Sequence, residues 1–265
     1  MFRFYLRQLV RSFFPRSRRR NSRPVRKLIR TYRPWMEQLE DRVTPSVSSS
    51  FNGGALVLTF SGTNNDTITI QSQNTAANDF KVNASAGTTL DGTAGNSETF
   101  IGVASITVNG SAATGETVTF DTNSQNSVIT GAISLTDIDV ISLTDSTGTG
   151  SLKTDSFSES GGTNATTTLG RPLLATGTAG VSITGDTTIT ANSTIDATAA
   201  ATGGINLTAT QNVVVNSGAM IKTSGGGITL SANQQATPTS GSFFGMVVSA
   251  AAITSATGSI LLQGK

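Results

Sequence analysis

Asp137 and Asp139 are the residues of this sequence whose types and spacing come closest to a catalytic pair. They lie two positions apart in the segment LTDIDVISL, so a strand would place both carboxylates on one face, about 6.5 to 7 Å apart. That separation suits a general acid and a general base acting on a glycosidic bond. The aliphatic residues Ile138, Val140 and Leu143 predict, however, that the opposite face is the core. Two solvated surface acids are therefore the simpler interpretation, and we assign no catalytic residue.

The 265-residue chain contains no His and no Cys. It therefore has no Ser-His-Asp or Cys-His nucleophile, no His general base and none of the usual zinc ligands. Carbohydrate clefts usually present aromatic platforms and basic clamps, yet no Trp or Tyr follows Trp35 and only five basic residues follow Arg42. We predict that the protein is not an enzyme.

One segment raises the question of calcium. SGTNNDTITI, residues 61 to 70, is similar to the Gly-Asp calcium repeats of secreted β-rolls, with Asp66 as a ligand. Such sites need consecutive nonapeptides, and here the segment occurs once. The segment is better explained as a turn, so we predict no metal and no cofactor.

Charge divides the chain into two parts. Residues 1 to 42 hold 13 of the 18 Lys and Arg residues and three acids, a net charge of +10, whereas the remainder carries −8. Arg3, Arg7 and Arg11 lie on one face of a possible helix that Pro15 would end. A short basic amphipathic helix can lie in a membrane interface but cannot span a bilayer. We predict that residues 1 to 46 are a basic, partly helical or disordered targeting leader.

The end of this leader carries a recognisable segment, RPWMEQLEDRVTPS, at residues 33 to 46. It resembles the N-terminal sorting segment of large planctomycete surface and secreted proteins, in which a basic stretch leads into an L-E-D-R core. The matching residues are Leu39, Glu40, Asp41, Arg42 and Pro45. The resemblance implies export to an extracellular or cell-surface location in a bacterium.

The remainder of the chain, after residue 42, repeats one short sequence motif, called the repeated phrase below. GVSIT, GINLTA, GITLSA and GSILLQG place Val181, Ile205, Ile228 and Ile260 at separations of 24, 23 and 32 residues. Short alternating runs of Ile, Val and Leu lie between these phrases, and such runs bounded by Gly and Asn indicate strands. A period in the low twenties is typical of repeat architectures. We predict an all-β parallel β-helix with coils of about 20 to 24 residues, and an insertion on one corner at residues 234 to 246.

The organisation along the chain follows from the same pattern. Residues 47 to 155 form a solenoid section with looser repeats, in which Phe60, Phe80, Phe100 and Phe120 predict an aromatic ladder on 20-residue coils. Residues 156 to 180 are expected to be an irregular joint, and residues 181 to 265 a second section. About ten coils would make a rod of about 48 Å. A two-layer antiparallel sandwich is the competing fold.

The second section also resembles the filamentous-haemagglutinin-type repeats of bacterial secreted adhesins. Residues 204 to 209, 213 to 219 and 221 to 226 match their order of motifs. The resemblance implies a β-solenoid and an adhesin-like, non-enzymatic structural role.

The expected partners are extracellular polysaccharide or surface-layer components, with membrane or export machinery at the leader and no nucleic acid. The sequence stops at GSILLQGK, immediately after a strand motif and with no polar cap, so this end is expected to continue in a longer protein or to self-associate coil to coil. Two alternatives stay open. One is a carbohydrate-active β-helix enzyme, a polysaccharide lyase or hydrolase, using the acids near 137 to 145. The other is a cytosolic protein whose basic arm binds nucleic acid.

Overall fold

The structure is a computed structural model that describes residues 46–61, 65–73, 78–111, 115–162 and 165–265. The leader and the sorting residues Leu39, Glu40, Asp41, Arg42 and Pro45 lie outside this range. The chain divides into two units, Met1–Arg42 and Val43–Lys265, and all structural statements below concern the described part of the second.

The described residues form 26 strands and no helix. In chain order the strands are β1 (Val47–Asn52), β2 (Ala55–Phe60), β3 (Thr67–Ser72), β4 (Phe80–Ala84), β5 (Thr89–Leu90), β6 (Thr93–Ala94), β7 (Ser97–Phe100), β8 (Ser105–Asn109), β9 (Thr117–Asp121), β10 (Asn126–Val128), β11 (Ile133–Thr136), β12 (Val140–Thr144), β13 (Ser151–Thr154), β14 (Phe157–Ser160), β15 (Thr166–Leu169), β16 (Leu173–Ala175), β17 (Val181–Thr184), β18 (Thr188–Ala191), β19 (Ile195–Ala197), β20 (Ile205–Ala209), β21 (Asn212–Val215), β22 (Met220–Thr223), β23 (Ile228–Ala232), β24 (Met246–Val248), β25 (Ala252–Ser255) and β26 (Ile260–Gly264).

Three long sheets wind around one axis. Sheet A contains β2, β8, β11, β14, β17, β20, β23 and β26 in that spatial order; sheet B contains β3, β9, β12, β15, β18, β21 and β24; sheet C contains β10, β13, β16, β19, β22 and β25. Within each of these rows every neighbouring pair is parallel, and from β8 to β25 each coil contributes one strand to each sheet. The predicted β-solenoid is confirmed, and the antiparallel sandwich is wrong.

The repeated phrase sets the register of sheet A. Val181 pairs with Ile205, Ile205 with Ile228, and Ile228 with Ile260, as the sequence predicts. The longer last interval arises because residues 233 to 245 lie between β23 and β24, at the corner from sheet A to sheet B. An insertion at a corner leaves the ladders intact, since only loop length changes.

Inward side chains from successive coils stack in columns. One column of sheet A runs through Leu56, Ile106, Ile133, Phe157, Val181, Ile205 and Ile228. All of these residues are buried, and each large apolar side chain contributes about 1.5 to 3 kcal/mol by leaving water. Contacts between adjacent coils therefore stabilise the solenoid.

The first described residues fold differently from the repeat. β1 pairs antiparallel with β2, and β4 pairs antiparallel with both β3 and β7. β5 joins β1, and β6 joins β5, at the same end of sheet A. These additions lie beyond the first parallel strands and cover their edges, which an exposed sheet edge requires. Residues 46 to 100 thus contain a cap.

The cap overturns the predicted aromatic ladder. Phe80 and Phe100 lie opposite each other on antiparallel strands, while Phe60 lies in sheet A and Phe120 in the parallel part of sheet B. All four are buried, but they do not stack on successive coils. The 20-residue spacing reflects strand and hairpin lengths, because alternation looks the same in parallel and antiparallel strands.

Two further predictions about organisation are wrong. Residues 156 to 180 contain β14, β15 and β16, a complete coil in parallel register with both neighbours, rather than an irregular joint. Sheet A has eight parallel strands among the described residues, not ten levels, because the cap uses much of the first section. The coils before the insertion are also longer than 20 residues, as the pairing of Ile133 with Phe157 shows.

At the other end, β24, β25 and β26 are the last strands of sheets B, C and A. Ile260, Leu261 and Leu262 of β26 are 44%, 45% and 46% exposed. This end of the described solenoid therefore presents apolar side chains to solvent, in contrast to the capped end.

Candidate functional site: a polar pocket inside the solenoid

The predicted carboxylate pair does not share an open face. Asp137 and Asp139 lie at the bend between β11 and β12, where Asp137 has a left-handed backbone with φ of 55°. Asp137 is exposed, whereas Asp139 is buried and accepts hydrogen bonds from the backbone N–H groups of Gly115 and Glu116. The prediction of one strand with two surface acids is wrong, because the bend turns the two side chains apart.

Asp145 is the third acid of the 137 to 145 region. Its carboxylate accepts hydrogen bonds from the backbone N–H groups of five residues, namely Ser124, Thr147, Gly148, Thr149 and Gly150. Burial opposes its ionisation, but these hydrogen bonds prevail and hold the pKa of Asp145 far below its usual range. The side chain fixes the corner between β12 and β13 and stays ionised.

Asp66, the possible calcium ligand, starts a row of buried acids at the corner from sheet A to sheet B. Asp66, Glu116 and Asp139 each precede the sheet B strand of their coil and follow one another in register. Ser111 donates from its backbone N–H and its hydroxyl to Glu116. Burial raises the pKa of Glu116, although the Ser111 hydrogen bonds lower it and the charges of Asp139 and Asp66 add to the rise.

Glu159 occupies a core position that is aliphatic on the neighbouring coils. The second inward column of sheet A runs through Leu58, Val108, Leu135, Glu159, Ile183, Leu207 and Leu230. Glu159 is 2% exposed. A carboxyl group therefore stands in a dry column, where an unpaired charge is costly.

The same coil carries a second polar residue inside the core. A column of sheet B runs through Ile68, Val118, Ile141, Thr167, Ile189 and Val213. Thr167 replaces the aliphatic residue in this coil and is 1% exposed. Glu159 and Thr167 thus flank the same corner, one from β14 and the other from β15.

Asp186 comes to this corner from the next coil, between β17 and β18, and is 0% exposed. A β-carbon on Gly161 would lie 2.7 Å from Asp186 Oδ1 and 3.1 Å from Glu159 Oε1. The two carboxyl groups therefore converge beside the Gly161 Cα, in space that a larger residue would fill. We call Glu159, Thr167, Asp186 and Gly161 the acid pocket.

The oxygens of the acid pocket lack ordinary partners. Both carboxylate oxygens of Glu159, both of Asp186 and the hydroxyl of Thr167 are buried, and none completes a hydrogen bond of normal geometry with the described residues. The Thr167 hydroxyl and the Glu159 carboxyl nevertheless lie close enough to Asp186 to favour its ionised form, and the Thr184 backbone does the same for Glu159. Most buried polar groups in native proteins are satisfied, so this concentration at one corner needs an explanation.

The surroundings favour the protonated form of both acids. Burial, and then the neighbouring Asp186, raise the pKa of Glu159 far above its ordinary value. Burial also raises the pKa of Asp186, although contacts with Thr167 and Glu159 act in the opposite direction. Within the described residues the one ion pair joins Lys222 to Asp196 on the outside of sheet C, so no basic side chain neutralises the pocket.

The acid pocket could not be seen in the sequence as long as residues 156 to 180 were expected to be irregular. Two features of the sequence indicate it. Phe157 and Glu159 occupy every second position of a short strand pattern, and Glu159 lies 24 residues, the length of one coil, before Ile183 of the repeated phrase. Placing the segment in register would have put a carboxyl group in an aliphatic column.

A second, open site lies in the cap. A cleft of about 620 Å³ is lined by Ser49, Phe51, Asp91, Glu98, Thr99, Phe100 and Ile101. Ser49 Oγ lies 2.7 Å from Asp91 Oδ2 and 3.1 Å from Glu98 Oε2, so the two carboxylates are no more than about 6 Å apart. Phe51 and Ile101 are 39% and 73% exposed and give the cleft apolar surface.

In the part of the chain that the structure describes, no helix has the length and apolar character needed to cross a membrane. In comparisons with known proteins, no protein-family model, curated protein or solved structure matches the chain.

Proposed function

We propose that this chain is an exported, non-enzymatic structural protein, an adhesin-like β-solenoid that works at the cell surface or in the extracellular matrix. The observation that carries the proposal is the outer surface of the solenoid. On sheets A and B the outward positions hold mainly short hydroxyl and amide side chains in register from coil to coil, which suits contact with a hydrated, repetitive polymer.

Sheet B shows the arrangement. One outward column runs through Thr69, Thr119, Ser142, Thr168 and Thr190, all half-buried. Parallel neighbours in a sheet lie about 4.8 Å apart, so hydroxyl groups recur at that spacing along the axis. Extracellular polysaccharide or surface-layer components, with repeating hydroxyl and amide groups, are the partners we propose.

The proposal of export rests on the sequence of the leader. Residues 1 to 42 carry a net charge of +10 and the L-E-D-R segment, whereas the remainder carries −8. A basic leader ahead of an acidic solenoid is consistent with a sorting signal, with membrane or export machinery as the leader's partner. Mass spectrometry of the native N-terminus tests this point, and a mature chain that retains residues 1 to 46 in the cytosol would contradict it.

We further propose that the end formed by β24, β25 and β26 binds a second copy of the chain, coil on coil. The inward residues Ile260 and Leu262 continue the columns of Ile228 and Leu230 and are nearly half exposed. A strand of the second copy added to β26 would bury these exposed residues.

The polysaccharide proposal is tested by incubating the purified chain with a panel of insoluble polysaccharides and measuring both bound protein and released sugar. Binding without product release is the expected result. Product release that Asp137→Ala abolishes would instead support the enzyme that the sequence left open at residues 137 to 145.

A carbohydrate-active enzyme remains the second candidate, and the cap cleft favours it. Oxygens of Asp91 and Glu98 lie within about 6 Å of each other through their shared contact with Ser49, a range that includes the carboxyl separation of retaining glycosidases, and exposed apolar surface lies beside them. Release of sugar that is lost in Glu98→Gln, but kept in Asp137→Ala, would assign the activity to the cleft.

A further inference from the structure

We propose that the acid pocket binds one divalent cation of the Ca²⁺ class, held inside the solenoid between two coils by Glu159, Asp186 and Thr167. This inference does not depend on the proposed surface function. It rests on three buried polar side chains that meet at one corner and whose oxygens complete no hydrogen bond of normal geometry with the described residues.

The first step is the coincidence of polar replacements. Glu159 stands between Leu135 and Ile183 in its column, and Thr167 stands between Ile141 and Ile189 in its own. Each replacement alone would weaken the core. Together with Asp186, they turn one corner of one coil into a pocket whose five orphaned oxygens belong to three side chains.

The second step is charge. Without a cation the surroundings favour the protonated, neutral form of the two acids. Once both ionise they carry two negative charges, which one divalent cation balances. Buried charges in proteins are paired or coordinate metals, and the described basic residues supply no partner here, since the one ion pair lies elsewhere. The described residues hold no group of three or more acidic, His or Cys side chains fit to bind a metal, so a neutral hydroxyl completes the set rather than a third acid.

The third step is ligand number. Ca²⁺ takes six to eight oxygen ligands, including bidentate carboxylates and neutral oxygens. Both carboxylates and the Thr167 hydroxyl offer five, and backbone carbonyls or water would supply the rest. Gly161 leaves the approach open, because a β-carbon there would lie 2.7 Å from Asp186 Oδ1. The cation would tie β14 and β15 to the following coil.

The test uses the full chain, freed of metal with EDTA and dialysed. Thermal unfolding is followed by far-UV circular dichroism in EDTA, in CaCl₂ and in MgCl₂ at constant ionic strength. A cation that binds the folded state raises the midpoint, here by at least about 3 °C, and calorimetric titration should give one ion per chain.

Three variants locate the site. Glu159→Gln and Asp186→Asn should lose the response, whereas Glu98→Gln, which removes an exposed charge from β7, several strands away from β15 in sheet B, should keep it. If Glu159→Gln does not fold, Glu159→Leu serves instead, because leucine matches Leu135 on the preceding coil. No response of the unmodified chain to either ion, or an equal response in Glu159→Leu, would overturn the proposal.

Discussion

Glu159 and Asp186, on successive coils, direct carboxyl oxygens to the same point beside the Gly161 Cα, 3.1 and 2.7 Å from where its β-carbon would lie. Both side chains are at least 98% buried, with exposures of 2% and 0%. This relationship links the stability of the solenoid to the occupant of the space between them, a proton or a cation.

With divalent cations chelated, we expect the free energy of unfolding to fall as the pH rises from about 4 to about 9. The folded chain raises the pKa of Glu159 to about 9 and that of Asp186 to about 6, above their ordinary values of 4.5 and 3.8. The folded state therefore holds protons that the unfolded chain has released, so stability is fully present below the unfolded values and declines above them. Between pH 4.5 and 7 the loss should exceed about 1.4 kcal/mol, the equivalent of one pKa unit.

Urea titrations at a series of pH values, followed by circular dichroism, measure this dependence. Glu159→Leu is the matched control and should show a shallower slope. An unmodified chain as stable at pH 9 as at pH 4.5 in EDTA would contradict the prediction.

Gly161→Ala should destabilise the protein by about 1 to 3 kcal/mol, the usual cost of overpacking a tight core. Its methyl group would approach Asp186 Oδ1 and the Asp186 backbone nitrogen at 2.7 and 3.0 Å. Gly227→Ala is the control, because its β-carbon would meet nothing nearer than 3.4 Å. Equal denaturation midpoints for the two variants would show that Asp186 and Glu159 leave room for a methyl group at Gly161, contrary to the prediction.

Asp145→Ala should lower the free energy of unfolding by more than about 2 kcal/mol, because it leaves the N–H groups of one corner without their acceptor. The native pKa lies below the ordinary value of 3.8. This contribution is therefore complete above about pH 4 and declines as the pH falls below it. Asp145→Asn keeps one carbonyl oxygen and should lose less. A variant as stable as the original chain at pH 7 would show that the corner does not need the carboxylate.

Ile205→Ala and Ile260→Ala compare one position of the repeated phrase inside the solenoid and at its end. Ile205 is 1% exposed and Ile260 44%. We expect the first substitution to cost about 2 to 5 kcal/mol and the second less than half as much, measured by urea unfolding of dilute samples. Similar losses would mean that β26 is buried in solution.

Leu262→Lys should weaken the proposed end-to-end association. Leu262 lies in register with inward Leu230, whereas Leu261 pairs with outward Thr229. A lysine at position 262 would put a charge into the continued core, and Leu261→Lys would leave it in water. Sedimentation velocity over a range of concentrations should show self-association of the unmodified chain and of Leu261→Lys, but not of Leu262→Lys. A monomeric unmodified chain at all concentrations would contradict the proposal.

The parts of the fold that could be predicted are those governed by local pattern. The alternation in GINLTA and GITLSA identifies inward Ile and Leu positions, and Ile205 pairs with Ile228 as the spacing requires. The acid pocket could not be predicted in the same way, because Glu159 in FSES shows the alternation of a strand but breaks the apolar pattern at its inward position. Its partner Asp186 lies 27 residues later in the sequence.

The sequence by itself determined an all-β solenoid, the register of its repeated phrase, the charge boundary near Arg42 and the lack of His and Cys chemistry. Periodic side chains encode these features because strand alternation and coil length act over short distances. Only the tertiary structure decided that Phe80 faces Phe100 across antiparallel cap strands, that Asp137 and Asp139 turn apart, and that Glu159 meets Asp186. Those relationships depend on which strands become neighbours, and neighbours are set by turn lengths and coil stacking rather than by the alternation that all strands share.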